Sequence, residues 1–301
     1  MTISQLIARI EIGLRAHVLN WPWRDRQTRR NVRNKVLETA IPRYLKRYLP
    51  AAAAVPNTKP GKPNGDEKIW SIWTQGAENA PDWVRACYRS VARNCQQEHI
   101  ILDEENLFKY IELPDYIMKK RASGKISNAH FADIARVELL YQYGGIWMDS
   151  TGFVTAPVPD YFLKPDFFAY LLNPESKSGW RYSFMQNCFM GARRGSYLLA
   201  AWRAMIHAYW RAENGTVDYM VHQLLFKTLV LNDPRAKIEF EKMPHMYQDP
   251  THALWWTYRD KPFDQKIYDE ITSKTWVQKT TWRDVINPVP GSFADVMMKM
   301  N

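Results

Sequence analysis

The chain has 301 residues, 46% of them hydrophobic and 24% charged, with 13 glycines and 18 prolines, the proportions of a soluble globular protein with mass for one large domain and an appendage. They exclude collagen-like, low-complexity and wholly disordered chains, and no apolar run approaches the roughly 18 to 20 residues that a bilayer span needs. The formal charge of +10 is local: residues 1–50 hold eleven Lys or Arg against three acidic residues, so +8 belongs to this arm and only +2 to everything after it.

In the arm, Ile3, Leu6, Ile7, Ile10 and Leu14 recur at helical spacing, Trp21 and Trp23 follow, and a dense basic stretch runs from Arg24 to Lys35. An apolar stripe, paired tryptophans and a basic face suit a helix resting on anionic lipid. A helical cap packed on the body, with a solvated basic face, is the alternative of equal weight. Nucleic acid is not expected as a partner, because no recognised nucleic-acid module accompanies the charge. Arg9 and Glu11 interrupt the one candidate signal-peptide core, and Cys87, Cys95 and Cys188 have no paired spacing. Both point to a reduced, cytoplasmic protein that begins near Met1 and is at most peripheral at the inner face of the membrane. Residues 51–66, AAAAVPNTKPGKPNGD, read as a Pro/Gly linker, which leaves 67–301 as the main domain.

Lys68 to Thr74 is a short β-branched and aromatic run, a buried strand. Pro81 suits the first turn of a helix in which Val84, Cys87, Tyr88 and Val91 share a face. His99 to Leu102 is a second strand, and a short helix passes through Leu107, Phe108 and Ile111. Strand, helix, strand, helix implies an α/β fold with a mostly parallel sheet and a ligand crevice at the carboxyl ends of its strands.

The segment SNAHFADIARVELLYQYGGIWMDST, Ser127 to Thr151, carries most of the information. Ser127 or Asn128 caps a helix that ends at Gly144 and Gly145, where a left-handed cap is expected. Asp133 and Arg136, three apart, share a face. Ile146 to Asp149 then forms a strand on which Trp147, Asp149 and Thr151 point to one side. Asp149 ends that buried strand, and an acid there is costly to bury without a partner.

With Asp133, Arg136, Leu140, Gly144, Gly145 and Asp149 in register, this segment resembles the Asp-x-x-Arg helix, glycine pair and Asp-x-Asp strand of GT-A fold glycosyltransferases, Rossmann-like enzymes that use nucleotide-diphosphate sugars. In particular it resembles the capsular polysaccharide synthesis proteins, relatives of the yeast-type initiating mannosyltransferases and glucosylating toxins. IWSIWTQG, NCFMGARRG (Asn187 to Gly195) and DYMVHQLLF (Asp218 to Phe226) resemble further blocks. The match runs from about residue 68 to about 230, more loosely to TWVQKTTWR near Lys279, and leaves the N-terminal arm outside.

The resemblance implies transfer of a sugar, with retained configuration, from a nucleotide-diphosphate donor to a hydroxyl of a glycan acceptor, lipid-linked in the natural case, with Mn²⁺ or Mg²⁺ bridging the diphosphate. It implies that Trp73 meets the base with Gln75 beside it, that Asp133 and Arg136 meet nucleotide or donor sugar, and that Asp149 with Thr151 anchors the diphosphate through metal. Gln186, Asn187 and Asp218 become acceptor-side candidates, and Asp149 and Asp218 the candidate catalytic acids. Thr151 departs from the pattern, standing where a second Asp would ligate the metal; Asp218 and His222, at i and i+4 of a helix, could make up the set, with His222 as ligand beside Asp149. Two alternatives stay open: a GT-A scaffold weakened in turnover by the missing Asp, and a membrane-surface or nucleic-acid binder with a merely structural body, against which the near-neutral body argues.

Overall fold

The computed structural model describes residues 3–20, 25–57, 59–62, 66–176, 181–283 and 287–300. The chain opens with two helices, α1 (Ile3–Asn20) and α2 (Arg26–Leu45), and a 3₁₀ turn leads into α3 (Leu49–Ala53). Asp25 caps α2 by accepting the Thr28 N–H at 2.7 Å. Leu37, Ile41 and Leu45, four residues apart on α2, are buried in the main core together with Tyr48 and Ala52. Glu213 is buried, and its carboxylate accepts the hydroxyls of Tyr44 and, at 2.7 Å, Tyr48; a buried carboxylate needs such donors. Residues 26–53 thus pack as part of the body, the cap alternative. On α1, Ile3, Leu6, Ile7, Ile10 and Leu14 stay exposed while Ala8 is buried. Trp21, Trp23 and Arg24 lie outside the described residues. The Pro/Gly stretch is helical up to Ala53 and tied down beyond it: Arg235 donates to the Val55 carbonyl at 3.0 Å, and the Gly61 N–H to the Arg194 carbonyl at 2.8 Å.

The body then runs β1 (Ile69–Ile72), α4 (Asp82–Asn94), β2 (His99–Leu102), α5 (Asp115–Ala122), α6 (Asn128–Tyr143), β3 (Gly145–Met148), β4 (Gly152–Val154), α7 (Asp160–Leu163), β5 (Phe167–Leu171), β6 (Met185–Ala192), α8 (Tyr197–Ala212), α9 (Val221–Asn232), α10 (Pro234–Glu241), α11 (Asp249–Ala253), α12 (Gln265–Thr272), β7 (Val277–Lys279) and α13 (Phe293–Lys299). The central sheet has the order β2-β1-β3-β6-β5. β1 pairs parallel with β2 and β3, and β6 pairs antiparallel with both β3 and β5, so four of the five strands share a direction. β4 and β7 form a separate antiparallel ribbon with Gly152 opposite Lys279. The expected βαβ order holds, except that the helix expected through Leu107 to Ile111 is a 3₁₀ turn, Leu107–Lys109.

The glycine pair positions the site. Ser127 caps α6, its hydroxyl 3.3 Å from the His130 N–H. Gly144 and Gly145 follow with φ of 71° and 93°, values that a side chain resists. A Cβ on Gly145 would stand 2.4 Å from the Lys68 carbonyl oxygen. Only a bare backbone lets β3 turn out of α6 directly alongside β1, where the Ile146 N–H donates to that same Lys68 oxygen at 2.8 Å.

Candidate active site

A cavity of about 940 Å³ opens beyond the carboxyl ends of β1 and β3, where α/β sheets bind ligands. Asp149 sits at its base, just past the end of β3, in a turn fixed by its own backbone. Its N–H donates to the Cys188 carbonyl at 2.9 Å and its carbonyl accepts the Gly152 N–H at 2.8 Å, while the Ser150 hydroxyl donates to the Ile72 carbonyl at 2.8 Å. The carboxylate oxygens differ. Oδ1 accepts the Trp147 indole N–H at 3.0 Å and the Arg136 guanidinium at 3.2 Å; Oδ2 faces Lys279 Nζ at 3.7 Å.

Arg136 is the hinge of this cluster. Its guanidinium, buried on α6, donates to the Asn187 carbonyl at 2.5 Å, lies 3.1 Å from Asp133 Oδ1 and reaches Asp149. The Trp147 ring lies 4.9 Å from its central carbon. Asp133 also accepts the Asn187 amide at 2.8 Å and stands 3.1 Å from His222 Nδ1. Burial works against ionising Asp133, but Arg136 and the imidazole outweigh it and hold the carboxyl well below the usual carboxylate range. His222 is fully enclosed; its Nε2 accepts the Trp210 indole N–H at 2.8 Å, so Nδ1 carries the proton toward Asp133. Burial lowers its pKa and keeps the ring neutral.

The structure therefore brings together Trp73, Asp133, Arg136, Asp149, Thr151, Gln186 and Asn187, all lining one cavity. Asn187 Oδ1 also accepts the Gln223 amide at 3.0 Å, and the Gln186 amide reaches Thr251 Oγ1 at 3.4 Å. Three of the expected residues are placed otherwise. Gln75 is exposed past the end of β1, paired with Thr74, and is not part of the lining. Asp218 precedes α9, which starts only at Val221, and accepts the Tyr182 hydroxyl at 3.0 Å and the Met220 N–H at 2.8 Å; its neighbours Tyr219 and Met220 line the cavity while Asp218 itself does not. His222 is no metal ligand, because Trp210 takes its Nε2 lone pair and its Nδ1 proton faces Asp133.

Sequence reasoning missed Lys279, Trp282 and Arg283, which line the cavity from the far end of the chain, and His252, Asp249 and Trp256 from the segment around α11. A lysine closing the short run TWVQK was the available signal, but nothing local says which strand it pairs with. Trp282 stands edge-on to Trp73, ring centres 6.0 Å apart, and the Trp73 indole N–H is buried without a partner. Burial pushes the His252 imidazole down to about 4, so it lines the site uncharged.

The donors offered to Mn²⁺ or Mg²⁺ are few. Among the described residues no group of three or more His, Cys, Asp and Glu is placed to hold a metal ion. Asp133 is engaged by Arg136, Asn187 and His222, and Thr151 Oγ1 accepts from Lys279 Nζ at 2.5 Å. A hard divalent cation seeks several oxygen ligands, anionic ones above all, and here an ammonium faces the outward oxygen of Asp149.

A mostly parallel sheet thus carries an Asp-x-x-Arg helix that clasps a carboxylate at a strand end. A family model described as capsular polysaccharide synthesis protein matches residues 21–295, and the chain belongs to that family. The match takes in α2 and α3, so the family reaches further into the arm than the sequence motifs indicated. Curated relatives include glycosyltransferase afumC of Aspergillus fumigatus (strain CBS 144.89 / FGSC A1163 / CEA10), 24% identical over 74% of this chain and 65% of its own. O-glycosyltransferase braB of Annulohypoxylon truncatum is 24% identical over 58% of this chain and 44% of its own, and O-glycosyltransferase PaGT of Phomopsis amygdali 26% over 54% and 44%. The chain thus spans between 44% and 65% of the length of these relatives. Among solved structures the PaToxG glycosyltransferase aligns at a TM-score of 0.38 and 10% identity, over 71% of this chain and 86% of that one, a level that says nothing about individual residues.

Proposed function

We propose that the protein is a glycosyltransferase that moves a sugar from a nucleotide-diphosphate donor to a hydroxyl of a glycan in capsular or surface polysaccharide synthesis. The observation that carries this reading is the Asp133–Arg136–Asp149 cluster at the mouth of β3. Arg136, neutralised by two carboxylates, acts as a positioning residue: it turns Oδ1 of Asp149 inward and leaves Oδ2 to the cavity. Asp149 Oδ2 is then the acceptor for donor hydroxyls. Trp73 and Trp282 offer aromatic faces to the base, and Gln186 and Asn187 supply amides on the β6 side for the acceptor. Holding donor and acceptor together in a partly dry cleft removes much of the entropic barrier, and fixed positive groups meet the charge that develops on the leaving diphosphate.

The acceptor we favour is lipid-linked, because α1 offers an exposed apolar stripe that suits the surface of an anionic membrane; retained configuration at the transferred sugar rests on the family resemblance alone. No described helix is long and apolar enough to cross a membrane. The test is a panel of nucleotide sugars with released nucleoside diphosphate as readout. One donor class is expected to turn over, and Asp149→Asn to lower turnover roughly 100- to 1000-fold, the scale of a lost transition-state contact, with the thermal midpoint unchanged. Full turnover by a folded Asp149→Asn protein removes the carboxylate from the mechanism.

A further inference from the structure

The group facing the free side of the Asp149 carboxylate is an ammonium. Lys279 Nζ lies 3.7 Å from Asp149 Oδ2 and donates to Thr151 Oγ1 at 2.5 Å, and its side chain keeps 23% of its surface open to the cavity. The placement is built into the backbone. β7 is zipped to β4 with Lys279 opposite Gly152, and Thr280 sends both its N–H, at 3.0 Å, and its hydroxyl, at 2.7 Å, to the Thr151 carbonyl. The position where a second carboxylate would stand is a threonine hydroxyl, and that hydroxyl is committed to the lysine. A divalent cation between Asp149 and Thr151 would have to share its place with a positive charge, and Asp133 already gives Oδ1 to Arg136 and Asn187 and has His222 Nδ1 3.1 Å from Oδ2. Arg283 adds a second cation on the same wall, its guanidinium 5.6 Å over the Trp282 ring.

We propose that Lys279, assisted by Arg283, supplies the positive charge that a divalent metal gives to related sugar-nucleotide transferases, so that this protein binds and uses its donor without metal. The inference rests on the donor reading above. As the bond between the sugar C1 and the phosphate oxygen breaks, the electron pair stays on that oxygen, where ammonium and guanidinium offset the growing charge. The acceptor hydroxyl oxygen forms the new bond to C1, and its proton passes to the departing diphosphate. Lysine suits this task as a compact cation with three donors, able to hold Thr151 and a phosphate oxygen at once.

The test is calorimetric titration of the full chain with UDP, GDP and ADP, in EDTA and in excess Mn²⁺. At least one nucleoside diphosphate should bind in EDTA with an affinity within about threefold of that in Mn²⁺. Lys279→Gln, of matching polarity, should weaken that diphosphate roughly 10- to 100-fold, the fold-change of a lost charge-assisted hydrogen bond, and the matching nucleoside far less. Lys279→Asp, which restores a carboxylate pair with Asp149, should make binding depend on Mn²⁺. Wild-type binding that vanishes in EDTA and returns with Mn²⁺ overturns the inference and leaves the donor reading standing, as does unchanged binding by folded Lys279→Gln. If neither lysine variant folds, the wild-type comparison and Arg283→Gln decide. Failure of every nucleoside diphosphate in both conditions removes the donor reading, and this inference with it.

Discussion

Arg136 is a buried cation between two carboxylates, an arrangement that yields little net stability while intact and loses much when broken. Arg136→Met leaves Asp133 and Asp149 facing one another with their shared counter-charge gone, and is expected to cost about 3–5 kcal/mol, read as a fall in the urea midpoint. Adding Asp133→Asn should recover part of the loss, since one of the opposed charges is then removed. Titration adds a second residue-scale expectation. Burial pushes His99 and His252 down to about 4 and lowers His222 as well, so between their folded values and the ordinary 6.5 the unfolded chain binds more protons than the folded one. Stability is therefore complete above about pH 6.5 and falls on acidification toward pH 4, by about 1.4 kcal/mol per pH unit in mid-window for each of His99 and His252, with His222 acting in the same direction. Asp133, whose pKa is depressed, loses its contribution only below the ordinary carboxylate range. Melting curves from pH 7.5 to 4 check this, and a flat profile contradicts the burial of the histidines. At this scale the sequence made Asp133, Arg136 and Asp149 legible because helix spacing and strand parity are local. Lys279 was not, because its partner Thr151 is 128 positions away and strand register is set by packing.

Among the elements, the α6–β3 junction depends most strictly on residue type. Gly145→Ala puts a methyl into the Lys68 backbone carbonyl at a φ of 93°, so either β3 leaves β1 or the helix end unwinds. We expect a loss of about 2 kcal/mol or more, seen as a lower urea midpoint with donor binding weakened in parallel, because Asp149 rides on β3. A midpoint within a few tenths of a kcal/mol of wild type speaks against that tight junction. The bounds of α6 were readable from a capping serine, an apolar face and a glycine pair, each with a local cause, whereas β3 runs Gly145–Met148, one residue earlier than the expected Ile146 to Asp149. The start of α9 was misplaced by three residues for an equally local reason: Asp218 reads as a helical acid, yet it folds back on the Met220 N–H, and the helix waits until Val221. The Pro/Gly composition of residues 51–66 concealed a short helix in the same way, since Ala51 to Ala53 take helical form once Ala52 is buried.

For the whole molecule, the basic arm divides between two roles. α2 and α3 supply Leu37, Ile41, Leu45 and Ala52 to the main core and the two tyrosines that satisfy Glu213, whereas α1 keeps its apolar stripe outside. Removal of residues 1–20 should leave the thermal midpoint nearly unchanged and lower the partition onto anionic vesicles by an order of magnitude or more, each buried methylene being worth about 0.8 kcal/mol. Removal of residues 1–50 should abolish soluble folding. Equal vesicle binding with and without α1 rules out its role at lipid. The chain order announced the parallel βαβ half, since alternating strand and helix patterns imply it. It did not announce that β6 runs against its neighbours, because a buried apolar run carries no sign of its direction.

The ribbon that joins β4 to β7 also has a bearing on synthesis. The carboxylate precedes by 130 residues (279 − 149) the lysine that faces it, which emerges only with β7. A nascent chain on the ribosome can therefore assemble its central sheet long before the mouth of the cleft is electrically complete. A stop ahead of β7 removes the lysine together with Val277, Phe293 and Met297 of the packed interior, so the cleft and part of its support are completed by the same stretch of chain.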